Sequence, residues 1–222
     1  VNTVHPGGIF TEMGGKVVTL SDSTDFIYDP AGIDAEKLAF VMNLKSVKRG
    51  RIKEYVDKYS ETVYTETDTS LDHNPFWNLK ADCAFPCAME NEIGENDAYN
   101  LINNGIKLIC EGADMPSSPE ALKIFMDKNI LFAPGKAANA GGVAVSGLEM
   151  TQNAMRLNWP RQEVDERLQM IMHEIHKTCV EYGQQGDFVN YIDGANVAGF
   201  IKVGNQIKVD SRTGEYVERV SN

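Results

Sequence analysis

Residues 106–133, IKLICEGADMPSSPEALKIFMDKNILFA, contain the pattern that decides the fold. The short apolar runs at 106–110 and 130–133 have the length and composition of buried strands. Between them, Ser118 can cap a helix, Pro119 suits its first turn and Glu120 lies near the positive end of its dipole. A strand, a helix and a second strand in this order predict a right-handed crossover between parallel strands.

The same alternation extends towards the N-terminus. The predicted strands cover residues 16–20, 62–65 and 83–85, and the predicted helices begin at Asp34 or cover 52–59 and 96–104. The strands are nearly all apolar, as in a sheet that helices cover on both faces. We therefore predict an α/β fold: a Rossmann-like, doubly wound, mostly parallel sheet with C-terminal helices.

From Gly141 onward the pattern becomes helical, and the predicted helices cover residues 143–157, 163–182 and 190–203. Residues 206–220 instead predict a hairpin with Gly214 in its turn. The predicted organisation is an atypical N-terminal segment at 1–13, a nucleotide-binding α/β domain at 14–150, C-terminal helices at 151–203 and an atypical tail at 204–222.

Composition and charge indicate which classes of binding partner are disfavoured and which cellular compartment is expected. The 222-residue chain carries 21 Lys and Arg against 32 Asp and Glu, a formal net charge of −11, which disfavours nucleic acid and anionic membranes. No apolar run approaches the ~20 residues of a membrane-spanning helix, and no signal-peptide pattern is present. The absence of an initial Met is expected of a fragment or a processed product. The four cysteines are Cys83, Cys87, Cys110 and Cys179, and their spacing matches no common zinc motif. We therefore expect reduced, mostly buried thiols and a cytoplasmic protein.

A first candidate site follows the first predicted strand, because ligands of doubly wound folds lie outside the carboxyl ends of strands. Asp22 can accept hydrogen bonds from both ribose hydroxyls of an adenosine, which favours NAD. The Ser23 hydroxyl and the cations further along the chain suit a 2′-phosphate, which favours NADP; the cations are Lys45, Lys48, Arg49 and Arg51. The alternative interpretation is a capped turn beside a solvated basic helix end.

A second candidate is the loop PGKAANAGGVAVSG at residues 134–147, which follows a predicted strand and opens a helix. Its small residues allow the backbone to approach a ligand closely, and helix N-terminal amides favour an anionic group. Asn139 offers a carboxamide and Ser146 a hydroxyl. The alternative is a tight loop packed against the sheet.

Two further segments, FPCAMENE at 85–92 and CEGADMP at 110–116, also follow predicted strands. Because their strands and the one before the 134–147 loop lie in one parallel sheet, we expect all three loops to meet on one rim. Glu90, Glu92 and Glu111 are candidate general acids or bases, and the alternative is that they cap helices or hold loops.

The histidine pair in the predicted 163–182 helix gives a weak metal signal. His173 and His176 are three residues apart and share one helix face, but the HExxH zinc motif needs a spacing of four. No third ligand stands nearby in the sequence, so we expect solvated or hydrogen-bonded histidines and no metal site.

Six stretches carry a resemblance to a known family: GGKVVTLSDS (14–23), IYDPAGID (27–34), PCAMENE (86–92), ICEGADMPSSPEA (109–121), LFAPGKAANAGGVAVSGLEMTQNAMRLNW (131–159) and YIDGANVAGFIKV (191–203). In this order they closely resemble the hexameric glutamate dehydrogenases and their leucine, phenylalanine and valine dehydrogenase relatives. Residues 1–13 and 204–222 do not match. The resemblance implies a nucleotide-binding domain that takes NADP, with NAD as the alternative.

The resemblance also implies roles for single residues. Asp22 and Ser23 would lie at the adenosine ribose, and the residues near a 2′-phosphate would be Lys45, Lys48 and Arg51. The residues beside the ribose and nicotinamide would be Cys87, Ala88 and Asn139. Val143 would line the aliphatic chain of the substrate, and Ser146 would reach its distal carboxylate. Asp114 stands where the family has Asn and places a negative charge near the nicotinamide.

The implied reaction is the reversible conversion of L-glutamate to 2-oxoglutarate and ammonia, with hydride passing to the nicotinamide, in a homo-oligomeric enzyme. The family's catalytic lysine and aspartate belong to a substrate domain that this sequence lacks, so no catalytic residue is expected in this chain. One rival is a dehydrogenase of apolar amino acids, against which Ser146 speaks because an aliphatic pocket would leave its hydroxyl unpaired. The other is a non-catalytic fragment or mosaic with impaired nucleotide binding, since no G-x-G-x-x-G pattern precedes the second strand.

Overall fold

The computed structural model describes residues 10–203, 207–209 and 216–219, in two compact units that divide between Asn139 and Ala140. The strands of the first unit are β1 (Thr19–Ser21), β2 (Asp25–Tyr28), β3 (Val63–Glu66), β4 (Cys83–Ala84), β5 (Leu108–Cys110) and β6 (Leu131–Ala133). Its helices include α1 (Ala35–Met42), a π-helix (Asn43–Val47), α2 (Glu54–Lys58), a 3₁₀-helix (Pro75–Asn78), α3 (Glu95–Asn103), α4 (Pro119–Asp127) and α5 (Gly135–Ala138).

β1, β2 and β3 form an antiparallel sheet in that order. The chain reverses after β1 because the Asp22 amide donates to the Asp25 carbonyl at 2.7 Å, which leaves room only for a tight turn. The predicted strand at 16–20 is therefore followed by a hairpin partner and not by a crossover helix. The predicted strand at 62–65 also pairs antiparallel, with β2, a strand that the sequence pattern did not predict.

Apolar side chains from this sheet and from the helices around it form one core. Its buried members are Leu20, Ile27, Ile33, Val41, Ile52 and Tyr55, and Ile27, Val41 and Tyr55 have no exposed surface. The predicted cap of α1 is also present, since the Asp34 carboxylate accepts a hydrogen bond from the backbone amide of the third helical residue.

β4, β5 and β6 form a parallel sheet in that order, with Ile109 of β5 opposite Phe132 of β6. Both residues are buried, as the apolar composition of these strands predicts. The predicted crossover helix is α4, whose first turn is capped by the Ser118 hydroxyl accepting from the Ala121 amide at 3.2 Å. Gly105 follows α3 with a φ of +82°, a left-handed conformation that glycine adopts without strain.

The α/β prediction is confirmed, whereas the prediction of a single, mostly parallel sheet is wrong for the described part of the first unit. That part contains one antiparallel and one parallel sheet, each of three strands. The difference arises at the turn after β1, where the chain returns as β2 before it enters α1.

The second unit is mainly helical, with α6 (Ala140–Met155), α7 (Arg161–Gly183) and α8 (Tyr191–Val203), and with the short paired strands β7 (Gln184–Gln185) and β8 (Phe188–Val189). Helices α7 and α8 approach closely through glycine, because a Cβ on Gly194 would overlap the carbonyl of Cys179. β9 (Ile207–Val209) pairs antiparallel with β10 (Tyr216–Arg219), and the turn predicted around Gly214 lies outside the described residues. In the described part of the chain, no helix has both the length and the apolar character needed to cross a membrane.

Candidate functional site

Asp22 lies at the carboxyl end of β1 and is the centre of a charged cluster. Its carboxylate accepts a hydrogen bond from the Lys45 ammonium at 2.7 Å and lies 3.6 Å from Nε of Arg51. The Ser23 amide donates to its other oxygen at 3.0 Å. Burial raises the pKa of Asp22, but the hydrogen bonds and charges of these neighbours outweigh burial and hold that pKa below its usual value. The carboxylate is therefore ionised at neutral pH, with cations beside it.

Arg51 reaches across the turn that joins β1 and β2. Its terminal nitrogens donate to the hydroxyl of Ser23 at 3.3 Å and to the hydroxyl of Thr24, and one lies 3.8 Å from the Asp25 carboxylate. The side chain is 49% exposed, so the guanidinium is accessible from solvent at the strand end. The structure thus brings Ser23 and Arg51 together as predicted, and it adds Thr24, which the sequence analysis missed.

Lys45 and Lys48 differ in their surroundings. Lys45 is partly buried and also donates to the carbonyl of Gly50 at 3.1 Å. Lys48 is exposed at the end of the π-helix, and its ammonium is not among the partners of Asp22. Of the three predicted phosphate contacts, two therefore lie at the turn and one lies on the open surface.

A buried hydrogen-bond network at the other end of β2, away from this turn, was not predicted. The Asp29 carboxylate accepts from the Lys37 ammonium at 2.7 Å and from the Tyr55 hydroxyl at 2.8 Å. Burial raises the pKa of Asp29, and the hydrogen bonds from Lys37 and Tyr55 lower it further than burial raises it. The network ties β2 to α1 and α2, and the Asp29-Pro30 pair after an apolar run is its signal in the sequence.

The loops after β4 and β5 pack directly against each other. The amides of Gly112 and Ala113 donate to the Pro86 carbonyl at 2.9 and 3.2 Å. The Cys87 thiol is buried against Gly112, where a Cβ would overlap its sulfur. Burial raises the pKa of Cys87 to about 11, so this cysteine is a neutral thiol at physiological pH. Ala88 is exposed beside it, at the rim where both residues were predicted to contact a cofactor.

Two of the three candidate acid–base glutamates hold loops in place. Glu111 is 6% exposed, and its carboxylate accepts from the amides of Gly135 at 2.8 Å and Ser117 at 3.3 Å. The Glu92 carboxylate accepts from two amides of the preceding loop, and burial raises its pKa against the lowering effect of these bonds. Glu90 is exposed. The geometry favours the alternative interpretation for Glu92 and Glu111, because their carboxylates are occupied by backbone donors.

Asp114 and Asn139 form a pair on the rim that follows β5 and β6. The Asn139 amide nitrogen donates to a carboxylate oxygen of Asp114 at 2.6 Å. Both side chains were predicted to contact the nicotinamide end of a cofactor, but their bond to each other was not. An asparagine in place of Asp114 would also offer an amide donor, which a carboxylate lacks.

The predicted substrate contacts belong to the second unit. Val143 is on α6 and 78% exposed. Ser146, on the same helix, donates its hydroxyl to the carbonyl of Gly142 at 3.2 Å, so a group of its own helix satisfies this hydroxyl.

The histidine pair of the sequence analysis lies on α7, where Nε2 of His176 is 3.0 Å from the Tyr191 hydroxyl. Among the residues that the structure describes, no group of three or more His, Cys, Asp and Glu side chains is arranged to hold a metal ion.

Comparison with known sequences identifies the family. The profile of the Glutamate/Leucine/Phenylalanine/Valine dehydrogenase family matches residues 7–210, which reaches beyond both limits of the 14–203 resemblance. The chain is 57% identical over 193 residues to the NAD(P)-specific glutamate dehydrogenase of Xylanibacter ruminicola. It is 47% identical over 194 residues to the NADP-specific enzyme of Escherichia coli, and 45% identical over 196 residues to the NAD-specific enzyme of Bacteroides fragilis.

A solved structure supports the same relationship. The structure of Plasmodium falciparum glutamate dehydrogenase superposes with a TM-score of 0.83 at 41% identity, and covers 90% of this chain and 42% of that one. The sequence matches cover 86–88% of this chain but only 42–43% of the relatives, so the chain spans less than half of their length. With a family profile that covers most of its residues, this chain belongs to the Glutamate/Leucine/Phenylalanine/Valine dehydrogenase family.

Proposed function

We propose that the chain is the cofactor-binding part of an NAD(P)-dependent glutamate dehydrogenase, with NADP as the preferred cofactor and NAD as the alternative. The observation that carries the proposal is the cluster of Ser23, Thr24 and Arg51 beside the Asp22 carboxylate, which is ionised and paired with cations, at the end of β1. The full enzyme would interconvert L-glutamate and 2-oxoglutarate in the cytoplasm, as a homo-oligomer.

The cluster fits a phosphate monoester on an adenosine ribose. Arg51 offers guanidinium donors with half of its surface exposed, and guanidinium groups bind phosphate through paired, charge-assisted hydrogen bonds. The Ser23 and Thr24 hydroxyls supply further donors from the same turn. Asp22 would repel a phosphate if its charge were free, but Lys45 lies 2.7 Å from it and offsets that charge. In the absence of the phosphate, the same carboxylate can accept from ribose hydroxyls, which keeps NAD as the alternative.

The remaining contacts in this proposal lie on the rim of the parallel sheet and on α6. Cys87, Ala88, Asp114 and Asn139 would hold the ribose and nicotinamide, and Val143 and Ser146 would contact the substrate. When bound, the nicotinamide supplies the hydride acceptor, while the protein supplies position and charge. The Asn139 amide is fixed by Asp114 at 2.6 Å, so its orientation is set before any ligand arrives.

The structure removes one argument against the rival interpretation, a dehydrogenase that acts on an apolar amino acid. The Ser146 hydroxyl is satisfied by the Gly142 carbonyl, so an aliphatic neighbour would not leave it unpaired. The preference for glutamate rests instead on the four relatives described above, each of which is a glutamate dehydrogenase.

Calorimetric titration of the chain with NADPH and with NADH tests the proposal. We expect NADPH to bind more tightly, and we expect Arg51→Gln to weaken NADPH by about tenfold while NADH changes little, since a hydrogen bond to a charged group contributes about 1.5–3 kcal/mol. A triple variant that removes the positive charges of Lys45, Lys48 and Arg51 should weaken NADPH binding still further relative to NADH binding.

The matched control is Lys128→Gln, which removes one exposed positive charge at the end of α4, far along the chain from the cluster. Equal weakening of both cofactors by Arg51→Gln would contradict the phosphate assignment. Failure of the unaltered chain to bind either cofactor would favour the rival of a non-binding fragment, to which the missing G-x-G-x-x-G pattern points.

A further inference from the structure

Asp25 is a second carboxylate at the turn that joins β1 and β2, and the proposed function does not use it. It is the first residue of β2 and is only 5% exposed. One of its oxygens lies 3.8 Å from a terminal nitrogen of Arg51. Because Arg51 is the guanidinium that would bind the 2′-phosphate of NADP, a buried negative charge beside it affects the choice of cofactor.

The carboxylate of Asp25 has few partners other than Arg51. Its Oδ2 accepts a hydrogen bond from the Tyr64 hydroxyl of β3 at 3.1 Å, and Oδ1 has no hydrogen-bond partner among the described residues. Burial and the hydrogen bond to Asp25 raise the pKa of Tyr64 to about 12, so this hydroxyl is a neutral donor at physiological pH. In the described part of the chain, Arg51 alone forms an ion pair with Asp25. A buried carboxylate attracts such a cation strongly, because little water screens the pair.

The charges of the turn are balanced before any cofactor binds. Lys45 and Arg51 carry one positive charge each, and they are paired with the carboxylates of Asp22 and Asp25. A phosphate monoester brings a further charge of about −1.5 to −2 at neutral pH. It must compete with Asp25 for the donors of Arg51, whereas the ribose hydroxyl that NAD has at this position is neutral and meets no such competition.

We propose that Asp25 determines cofactor specificity: by pairing with Arg51 it weakens the binding of a 2′-phosphate, so that NAD can compete with NADP for the same site. The inference rests on the proposed function, in which Arg51 contacts the phosphate. Asp25 is buried and does not itself contact the cofactor, so it acts through Arg51. NADP remains the preferred cofactor, but by a smaller factor than the cations of the turn would give without Asp25.

Asp25→Asn tests the proposal, because it removes the charge but keeps the size of the side chain and an acceptor for Tyr64. Calorimetric titrations with NADPH and with NADH give the ratio of the two affinities. We expect that ratio to rise about tenfold in favour of NADPH, while the affinity for NADH changes little. The matched control is Asp57→Asn, which removes one negative charge at an exposed position of α2 and should leave the ratio unchanged. An unchanged ratio in Asp25→Asn would overturn the inference.

A double-mutant cycle tests whether the effect depends on Arg51. In the Arg51→Gln background, we expect Asp25→Asn to change the ratio by less than about twofold. If the rise of about tenfold persisted in that background, Asp25 would act on the phosphate directly, and the inference would be overturned. Circular dichroism verifies that each variant folds. If Asp25→Asn does not fold, Asp25→Ser, which also removes the charge, is subject to the same expectation.

The same titrations distinguish this inference from the proposed function. If the unaltered chain binds NADPH and Arg51→Gln weakens that binding selectively, the proposed function is supported, and the ratio in Asp25→Asn then decides the inference by itself. If the unaltered chain binds neither cofactor, or Arg51→Gln weakens both equally, the phosphate assignment is wrong and the inference is overturned with it.

Discussion

Asp22 places a negative charge at the end of β1, and the neighbouring cations determine whether that charge would disfavour a phosphate of the proposed cofactor. A free carboxylate at a strand end favours ribose hydroxyls and disfavours a phosphate. Here the Lys45 ammonium lies at 2.7 Å and the Arg51 guanidinium at 3.6 Å, so the carboxylate orients cations that a phosphate can share. In the proposed site, the effect of Asp22 on the choice between NAD and NADP therefore depends on the ion pairs around it.

Asp114 offers a test at the other end of the proposed cofactor site. An ionised carboxylate beside the nicotinamide favours the oxidised, positively charged ring over the neutral reduced ring. Asp114→Asn removes that charge and restores an amide donor, while its carbonyl oxygen can still accept from Asn139. We expect the ratio of affinities to shift towards NADPH relative to NADP⁺ by ~0.5–1.5 kcal/mol, measured by titration with both redox forms.

The control for this change is Asp127→Asn, which removes one exposed negative charge at the end of α4. It should leave the ratio of NADPH to NADP⁺ affinity unchanged. If Asp114→Asn also leaves that ratio unchanged and only lowers the unfolding temperature, Asp114 acts on the loop alone. The nicotinamide would then have to lie elsewhere.

At the scale of secondary structure, local signals predicted helix starts and strand positions well. Asp34 and Ser118 cap helices as predicted, because a short polar side chain before an apolar helical pattern satisfies a free backbone amide. The strands at 106–110 and 130–133 are present in shorter form as β5 and β6. These features depend on neighbours within a few residues, which is why the sequence alone was sufficient for them.

Sheet topology was not predictable in the same way. β2 has only four residues, one of them the buried Asp25, so it gives no clear apolar period. Its pairing with β1 depends on a two-residue turn, and its pairing with β3 joins residues that are 35 to 41 positions apart. The site shows the same limit: the Arg51 and Ser23 contact and the Asp114 and Asn139 contact each join distant segments. The sequence predicted which residues lie on the rim, but the contacts between these residues depend on the three-dimensional fold.

Glu111 gives a prediction at this scale, because one carboxylate joins the loops after β5 and β6. Its two oxygens accept from the amides of Ser117 and Gly135, and its side chain is buried. Glu111→Gln preserves the size of the side chain but replaces one acceptor with an amide nitrogen, which leaves a buried backbone donor unpaired. We expect a loss of ~1–3 kcal/mol in the free energy of unfolding, measured by urea denaturation.

The matched control is Glu90→Gln, which makes the same chemical change at an exposed position in the neighbouring loop. Its unfolding free energy should change by less than ~0.5 kcal/mol. Equal stability of the Glu111→Gln variant and the unaltered chain would mean that the carboxylate does not hold these loops, and would reopen its interpretation as an acid or base.

At the scale of the whole molecule, the chain combines strong family features with less than half of a relative's length. The first unit contains the charged turn and the sheet rim, and the second contains the exposed α6 residues Val143 and Ser146. The half-buried carboxylate of Glu92 and the buried carboxylate of Glu111 both accept hydrogen bonds from backbone amides. In the proposed function, cofactor placement belongs to this chain, whereas the resemblance assigns proton transfer to a substrate domain of the full-length enzymes.

The last prediction follows from that separation: the 222-residue chain alone should bind NADPH without oxidising glutamate. Oxidation requires a general base beside the substrate's amino group, and the resemblance assigns that lysine and aspartate chemistry to a domain outside this sequence. The measurement is reduced-cofactor formation from glutamate and NADP⁺, followed by absorbance with homogeneous protein. Addition of a full-length relative to the same assay verifies that the conditions support turnover. A rate that scales with the concentration of this chain and disappears in Asn139→Ala would contradict the prediction, because it would place complete catalytic machinery within these 222 residues.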